Sequence, residues 1–205
     1  NKEINVLITS NNIDKVSNIL TNKGSSHKKN KVGKVIAATV SQDQLNDIAN
    51  DDSVNQILPN RAVNAFSADI PEVSEINSQN LINSGITGNN VKIAVLDTGV
   101  NNENVIASTD FTGEGTDDLS NHGTKIAEII LAVAPNAKII NAKVLDKNGL
   151  GSEASVIEGI NYAVEQGADI ISLSLGGYFD DINSPLVAAV EDAISKGVTV
   201  VVASG

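Results

Sequence analysis

The sequence predicts an α/β domain whose mostly parallel sheet is covered by helices on both faces, preceded by a small α+β module. Two observations support this prediction. In residues 78–205, nearly continuous apolar runs alternate with segments of helical periodicity, which is typical of parallel strands joined by right-handed crossovers. Residues 1–66 contain shorter elements of their own, and a polar linker at residues 67–77 separates the two parts.

The first part is predicted to contain three strands with two helices between them. The predicted strands are residues 4–8, 34–40 and 54–58, and the predicted helices carry Ile13, Val16, Ile19 and Leu20 in one case and Leu45, Ile48 and Ala49 in the other. Gly24 is expected to end the first helix, and Ser41 with Gln44 forms a capping-box pattern at the second. The polar, lysine-rich residues 25–31 are predicted to be a loop. This order suggests an α+β module with helices on one sheet face.

The second part is predicted to alternate strands and helices throughout. The predicted strands are Val91–Leu96, Lys138–Val144, Asp169–Ser174 and Val198–Ala203, and the predicted helices are Ser78–Ser84, Thr124–Ala132, Ser152–Gln166 and Pro185–Lys196. Their apolar composition predicts strands that are covered on both faces. Because a central parallel strand normally continues into a crossover, the end of the chain just after such a strand indicates a fragment of a longer domain.

Composition excludes several classes of function. The chain has no cysteine, which rules out disulfides, thiolate metal sites and a cysteine nucleophile. The net charge of −11 argues against nucleic acid or an anionic membrane surface as a partner. Hydrophobic residues make up 41% of the chain, an ordinary value for a globular protein, and no apolar run reaches membrane-spanning length.

An acidic residue at the end of a predicted strand and a histidine at the start of a predicted helix suggest catalytic chemistry. Asp97 follows the strand at residues 91–96, and His122 comes 25 positions later. A carboxylate so placed can hold an imidazole in one tautomer, which is the supporting half of a nucleophilic relay. Asp97-Thr98-Gly99 alone would also fit an aspartic protease, but that class is all-β and needs a second copy. A dinucleotide-binding turn would need Gly-x-Gly-x-x-Gly, and a plain surface turn is the remaining alternative.

Seven motifs in order remove that ambiguity. They are Val91–Val100, Asn121–Thr124, Val133–Pro135, Ala142–Leu145, Gly149–Gly151, Ser172–Gly177 and Val200–Gly205. Together they resemble the subtilisin-like serine proteases, or subtilases, over about residues 78–205. The resemblance implies that Asp97 is the triad aspartate and that His122 is the general base, with the chain order Asp, His, Ser.

The resemblance also implies a peptide-binding groove with two edges and a self-cleavage site. The groove edges would be Ser174, Leu175 and Gly176 on one side and Gly149, Leu150 and Gly151 on the other, with substrate added as a strand between them. Residues 1–66 resemble the family's inhibitory propeptide, a ferredoxin-like domain of the inhibitor I9 type. The spacing before Asp97 places the propeptide cleavage site between Phe66 and Ser67, with an aromatic side chain for a large apolar pocket.

The implied function is a secreted or cell-surface serine endopeptidase that works through an acyl-enzyme, present as a zymogen fragment. Its partners would be polypeptide substrates and its own propeptide. The Gly-Thr-Ser segment of the nucleophile and the oxyanion-hole asparagine are absent from residues 1–205, so we expect this chain alone to be inert. A non-catalytic pseudoprotease or peptide-binding module of the same fold is the alternative, because Lys125 and Glu128 replace residues that are usually histidine and glycine.

No cofactor is assigned from the sequence, and no metal ligand is named. The 13 positions between His122 and Pro135 are too few for the calcium loop of calcium-binding subtilisins. Calcium elsewhere stays open because of four scattered acidic residues, namely Asp117, Asp118, Asp180 and Asp181. His27 is interpreted as a solvated residue of the lysine-rich loop, with a pH-sensing role as the alternative.

Overall fold

The computed structural model describes residues 3–66, 78–177 and 184–204. The strands within these ranges are β1 Glu3–Ser10, β2 Ser26–Asn30, β3 Val35–Ser41, β4 Val54–Pro59, β5 Ala62–Ala65, β6 Lys92–Asp97, β7 Val105–Asp110, β8 Lys138–Lys143, β9 Leu150–Ser152, β10 Ile170–Leu173, β11 Leu175–Gly176 and β12 Thr199–Val202. The helices are α1 Ile13–Asn22, α2 Gln42–Ala49, α3 Gln79–Asn83, α4 His122–Val133, α5 Glu153–Glu165 and α6 Pro185–Ser195, with a 3₁₀ turn at Val32–Lys34.

The first unit is a four-stranded antiparallel sheet in the order β2-β3-β1-β4. Its chain order, β1-α1-β2-β3-α2-β4, is that of a ferredoxin-like α+β fold. Side chains of α1 and α2 join those of the sheet in one apolar core, which contains Val16, Leu20 and Ile48. The predicted capping box starts α2, because Ser41 and Gln44 each bond the other's backbone N–H.

The prediction of a loop at residues 25–31 is wrong, because most of this segment forms strand β2. Its residues pair antiparallel with β3, from Ser26 opposite Thr39 to Asn30 opposite Val35. The strand lies at the sheet edge, where lysine side chains such as Lys28 and Lys29 are compatible with pairing on one side and solvent on the other. His27 is therefore a strand residue, and its Nε2 lies 2.7 Å from the Ser17 hydroxyl.

The second unit has the predicted α/β architecture. Five parallel strands pair in the order β12-β10-β6-β8-β7. One face packs against α5 and α6, and the other face, with Ile93 and Val95, packs against α4. Strand β7 is not among the strands predicted from the sequence. Among the described residues β12 lies at the edge of this sheet, and its Val201 and Val202 are 55% and 58% exposed.

The two units contact each other through the 3₁₀ turn of the first and helices α5 and α6 of the second. The Gly33 N–H donates to Asp192 Oδ2 at 2.9 Å, and the backbone N–H of Val32 donates to Asn161 Oδ1 at 3.3 Å. The exposed Lys28 pairs with Glu158 at 2.6 Å. Gly33 has a φ of +67°, which favours glycine, and a Cβ there would lie 2.9 Å from the Ala189 backbone nitrogen.

We therefore expect Gly33→Ala to destabilise the docked arrangement, and Gly24→Ala provides its matched control. Gly24 has nearly the same φ, +70°, but a Cβ there meets no atom within 4 Å. Both changes carry the strain of a left-handed alanine, and only Gly33→Ala adds the clash with α6, for which overpacking costs about 1–3 kcal/mol. Chemical denaturation should show this extra loss in the free energy of unfolding. Equal losses in the two variants would mean that the contact with α6 contributes nothing.

None of the helices in the described ranges is long and apolar enough to cross a lipid bilayer.

Candidate active site

Asp97 and His122 meet at the carboxyl edge of the parallel sheet. Asp97 is the last residue of β6 and is 1% exposed, and His122 is the first residue of α4. The His122 Nδ1 lies 2.7 Å from Asp97 Oδ1. The same Asp97 oxygen accepts the backbone N–H of Thr98 at 2.7 Å. This buried carboxylate can therefore orient the imidazole and favour its protonated form.

Asp118 holds the start of α4, and thereby His122, in place. Asn121 is the residue before the helix, but it has a φ of +67° and makes no side-chain cap. The Asp118 carboxylate instead accepts the backbone N–H groups of Asn121 at 2.9 Å and Thr124 at 2.8 Å, and the hydroxyl of Thr98 at 2.9 Å. Burial acts to raise the pKa of the Asp118 carboxyl, but these hydrogen bonds outweigh it and lower the pKa. The helix start is thus held by a charged side chain four residues earlier.

Lys143 supports the segment after Asp97 from inside the protein. It is opposite Asp97 in the pairing of β6 with β8, and its side chain is fully buried. Its ammonium donates to the carbonyl oxygens of Thr98 at 2.6 Å and Asp117 at 3.3 Å, with a Glu114 carboxylate oxygen 3.7 Å away. A buried lysine is stable only with such partners. Lys143 therefore links the segment after Asp97 to the loop that carries Asp118.

The two predicted groove edges lie on either side of a strand from the first unit. Strand β5 pairs antiparallel with β9 on one side and with β11 on the other. The pairing places Val63 opposite Gly151 and Asn64 opposite Leu150 and Gly176, and the Ala65 N–H donates to the Gly149 carbonyl at 2.8 Å. The segments 149–151 and 174–176 thus form a groove, and the chain's own residues 62–65 fill it as an added strand.

Phe66 brings a peptide carbonyl to the His122 ring. Its N–H donates to the Ser174 carbonyl at 3.0 Å, and its own carbonyl oxygen lies 3.0 Å from His122 Nε2. The aromatic ring lies against Gly176 and lines an apolar cavity. The cavity is also lined by Leu173, Leu175, Leu186, Val190 and Val202. Phe66 is the last described residue of its segment, so Ser67, its predicted partner in the cleavage site, lies outside the described residues, as does the predicted linker.

The contacts of the His122 ring favour the form in which both of its nitrogens carry hydrogen. Asp97 Oδ1 and the Phe66 carbonyl oxygen can only accept hydrogen bonds. The hydrogen bond with Asp97 raises the pKa of His122, burial partly opposes it, and the Phe66 carbonyl and the charge of Asp118 raise it further. The filled groove therefore stabilises the imidazolium form of His122.

This protonation predicts a pH dependence of groove occupancy. Because the pKa of His122 is raised above 6.5 in the filled state, the stabilisation is fully present below pH 6.5 and is lost as pH rises through the raised pKa. We expect the Phe66 amide, which is bonded to Ser174, to exchange hydrogen faster relative to its intrinsic rate as pH increases over this range. NMR titration of the His122 ring should give a pKa above the ordinary histidine value of 6.5, and a value below it would contradict the assignment.

The structure gives positions for most of the residues on which the alternatives from the sequence depend. The side chains of Lys125 and Glu128 are on the exposed face of α4. The described residues contain no cluster of three histidine or acidic side chains that could hold a metal ion. The Asp118 carboxylate is already bonded to protein groups, Asp117 is exposed, and Asp180 and Asp181 lie outside the described residues.

Three residues of the site region have structural roles that the sequence does not predict. The sequence suggests Asp118 only as a possible calcium ligand, and it does not single out Lys143 or Glu153. The one available signal is that of Lys143, a charged residue inside an otherwise apolar strand. Asp118 bonds Thr124 six residues away, a spacing that no capping pattern predicts. Glu153 contacts Arg61, which is 92 positions away in the chain.

Comparison with known proteins places this geometry in a family. The sequence model of the subtilase family (Peptidase_S8) matches residues 88–205. Subtilisin E of Bacillus subtilis (strain 168) is 31% identical over an alignment of 209 positions. The alignment covers 93% of this chain and 54% of subtilisin E. The major intracellular serine protease of the same organism is 38% identical over 160 residues, covering 67% of this chain and 50% of that protease. The chain thus spans about half the length of these relatives.

The fold has a counterpart among solved structures. Fervidolysin from Fervidobacterium pennivorans, described as a keratinolytic enzyme related to subtilisin, matches with a TM-score of 0.75. The match covers 100% of this chain and 40% of fervidolysin, at 21% sequence identity. At this identity the likeness concerns the fold alone.

Proposed function

The chain belongs to the subtilase family of serine proteases, and we propose that it is the propeptide and the first part of the catalytic domain of a serine endopeptidase. In this proposal residues 1–66 are an inhibitory propeptide, residues 67–77 are a linker, and residues 78–205 begin the peptidase domain. The observation that carries the proposal is the Phe66 carbonyl, which lies 3.0 Å from His122 Nε2 at the end of a strand held in the groove. A peptide bond about to be cut, or just cut, would take this position.

The proposed reaction assigns a defined task to each residue present. Asp97 holds the His122 ring by its Nδ1 hydrogen. Once the groove is free of the inhibitory segment, neutral His122 takes the proton of a serine hydroxyl through Nε2 while the oxygen attacks the carbonyl carbon of the substrate. Imidazolium then protonates the leaving amine, and the acyl-enzyme remains. Water activated by the same histidine releases the acid and regenerates the serine.

In this proposal the serine nucleophile belongs to a part of the protein other than residues 1–205. In the described residues, the only group placed at His122 Nε2 is the Phe66 carbonyl oxygen. The chain spans 54% of subtilisin E, which is consistent with further catalytic residues on a following segment. The proposal includes no cofactor, and it leaves a calcium site elsewhere in the longer protein open.

The first unit is proposed to act as an intramolecular inhibitor. Strand β5 occupies the groove on both edges, and the first unit is docked onto α5 and α6 by the contacts of Gly33, Val32 and Lys28. A polypeptide substrate would have to displace β5 and form the same backbone pairs. We further propose a secreted or cell-surface location, although one matched relative is named an intracellular protease.

Expression of two versions of the protein tests the proposal. The first contains residues 1–205, and the second adds the segment encoded next. We expect the longer version to cut itself after Phe66, as seen by mass spectrometry, and to hydrolyse a chromogenic Ala-Val-Asn-Ala-Phe peptide. His122→Ala in the longer version should abolish both reactions. A longer version that binds the peptide without cutting it would favour the pseudoprotease or binding module instead.

A further inference from the structure

A buried carboxylate lies at the far end of the groove from His122. Glu153 is the first residue of α5, directly after the groove edge β9, and its side chain is fully buried. Its Oε2 lies 3.3 Å from the backbone nitrogen of Arg61, which donates to it, and 3.6 Å from the Arg61 Nε. Among the described residues, Oε1 has no hydrogen-bond partner although it is buried. An acidic side chain is rarely buried with so few partners.

The position of Arg61 relative to Phe66 is set by backbone pairing. Arg61 immediately precedes β5 and lies five residues before Phe66. The Glu153 N–H donates to the Arg61 carbonyl at 2.9 Å, and the Ala154 N–H donates to the Asn60 side-chain oxygen at 3.0 Å. These bonds extend the ladder between β5 and β9 by one step. A peptide that enters in the same register must therefore present its residue at this position to Glu153.

Charge decides which residue can occupy that position. Burial raises the pKa of the Glu153 carboxyl, and Arg61 partly opposes this effect. Arg61 therefore offsets only part of the energetic cost of burying the Glu153 carboxylate. A neutral residue there would leave the buried charge unpaired, which is far more costly than losing a surface ion pair. The site thus discriminates against neutral residues as well as attracting basic ones.

We propose that Glu153 is a specificity-determining residue that selects peptides with an arginine five residues before the residue whose carbonyl faces His122. This inference specifies the substrate class of the proposed function. Its prediction about substrate turnover rests on that proposed function, but its prediction about peptide binding does not. Arg61 of the chain itself occupies the site in this structure. The preferred substrate class is an extended polypeptide with this basic residue upstream of the cut.

A double-mutant cycle on residues 1–205 tests the recognition without any catalysis. Hydrogen exchange of the Phe66 amide, which bonds the Ser174 carbonyl, reports opening of the groove. We expect Arg61→Gln to increase opening about tenfold or more, since an uncompensated buried carboxylate remains. Glu153→Gln should remove most of this effect, so that the double variant opens much less than the product of the single effects predicts.

Lys29→Gln is the matched control for that cycle. It also removes one positive charge from the first unit, but its partner Asp14 belongs to the same unit, and the two side chains are 44% and 78% exposed. We expect a change of no more than a few-fold. Effects of Arg61→Gln and Glu153→Gln that multiply independently would overturn the proposal. So would an Arg61→Gln effect no larger than that of Lys29→Gln.

Peptide cleavage by the longer protein provides the second test. Two substrates, Asn-Arg-Ala-Val-Asn-Ala-Phe and its Arg→Gln analogue, each with a fluorogenic leaving group, are compared by kcat/KM. We expect the arginine peptide to be preferred about tenfold or more, and the Glu153→Gln enzyme to lose this preference. Equal cleavage of both peptides by the unmodified enzyme would overturn the inference. Cleavage of neither would refute the proposed function, while the exchange cycle would still decide the role of Glu153.

Discussion

Replacing Asp97 by asparagine is expected to reduce turnover by the proposed longer enzyme about 10⁴-fold, the size of effect known for this change in serine protease triads. An asparagine amide would favour the wrong imidazole tautomer and would remove the charge that stabilises the imidazolium. The hydrogen bond with Asp97 is the largest cause of the raised His122 pKa. NMR titration of residues 1–205 should therefore show a lower His122 pKa in the variant, and steady-state kinetics of the longer enzyme should show the loss in kcat.

The matched control is Asp117→Asn, which changes an exposed aspartate next to the same site. It should leave both the His122 pKa and kcat nearly unchanged, because its side chain faces solvent. If Asp97→Asn kept most of the activity, the relay assigned to Asp97 and His122 would be wrong. An unchanged His122 pKa in that variant would contradict the 2.7 Å contact between the two side chains.

Gly123→Ala is expected to give the largest loss of stability among single methyl additions near the site. The new Cβ would overlap the carbonyl oxygen of Gly99 and lie 3.0 Å from the Asp97 Cβ. Both obstacles belong to the segment at the end of β6, so α4 would have to move and carry His122 with it. Overpacking costs about 1–3 kcal/mol and occasionally more. Because the clash here is with a backbone carbonyl, which cannot rotate away as a side chain can, we expect a loss in the free energy of unfolding of about 3 kcal/mol or more.

Thermal denaturation is the direct measurement of that loss. A loss of about 3 kcal/mol corresponds to a fall in Tm of roughly 6–12 °C for a chain of this size. Lys125→Ala, on the exposed side of the same helix, should change Tm by no more than about 1–2 °C, as surface substitutions usually do. A Gly123→Ala variant as stable as Lys125→Ala would show that the helix start is not tightly packed against Gly99.

The sequence predicts the parallel sheet well because its central strands are buried on both faces and leave a strong apolar signal. β6 and β8 are the clearest cases, with all residues but the first buried in each. Strands β2 and β7 escape prediction for a physical reason. β2 reads Ser-His-Lys-Lys-Asn and β7 has alternating partly buried and exposed residues, so neither shows continuous hydrophobicity. Their strand conformation is specified by pairing with β3 and β8, which local sequence does not reveal.

The residues of the candidate site also fall into those that local sequence patterns indicate and those that only the tertiary fold brings together. The motifs around Asp97 and His122 and the two groove edges can be placed from sequence, because each is a short local pattern. The supporting contacts cannot, because they join distant residues through the tertiary fold. Asp118 acts across a loop, Lys143 reaches the Thr98 carbonyl from the neighbouring strand, and Glu153 meets Arg61 from the other unit.

The location of β5 on the same chain as its groove has a consequence for competition. A segment tethered to a docked unit meets its binding site at an effective concentration in the millimolar range for a short connection. A free peptide with the same intrinsic affinity would have to approach that concentration to displace half of it. Weak contacts between residues 60–66 and the groove are therefore sufficient to keep the groove filled. Severing the connection would change the filling of the groove by β5 from a unimolecular equilibrium to a bimolecular one, which dilution can reverse.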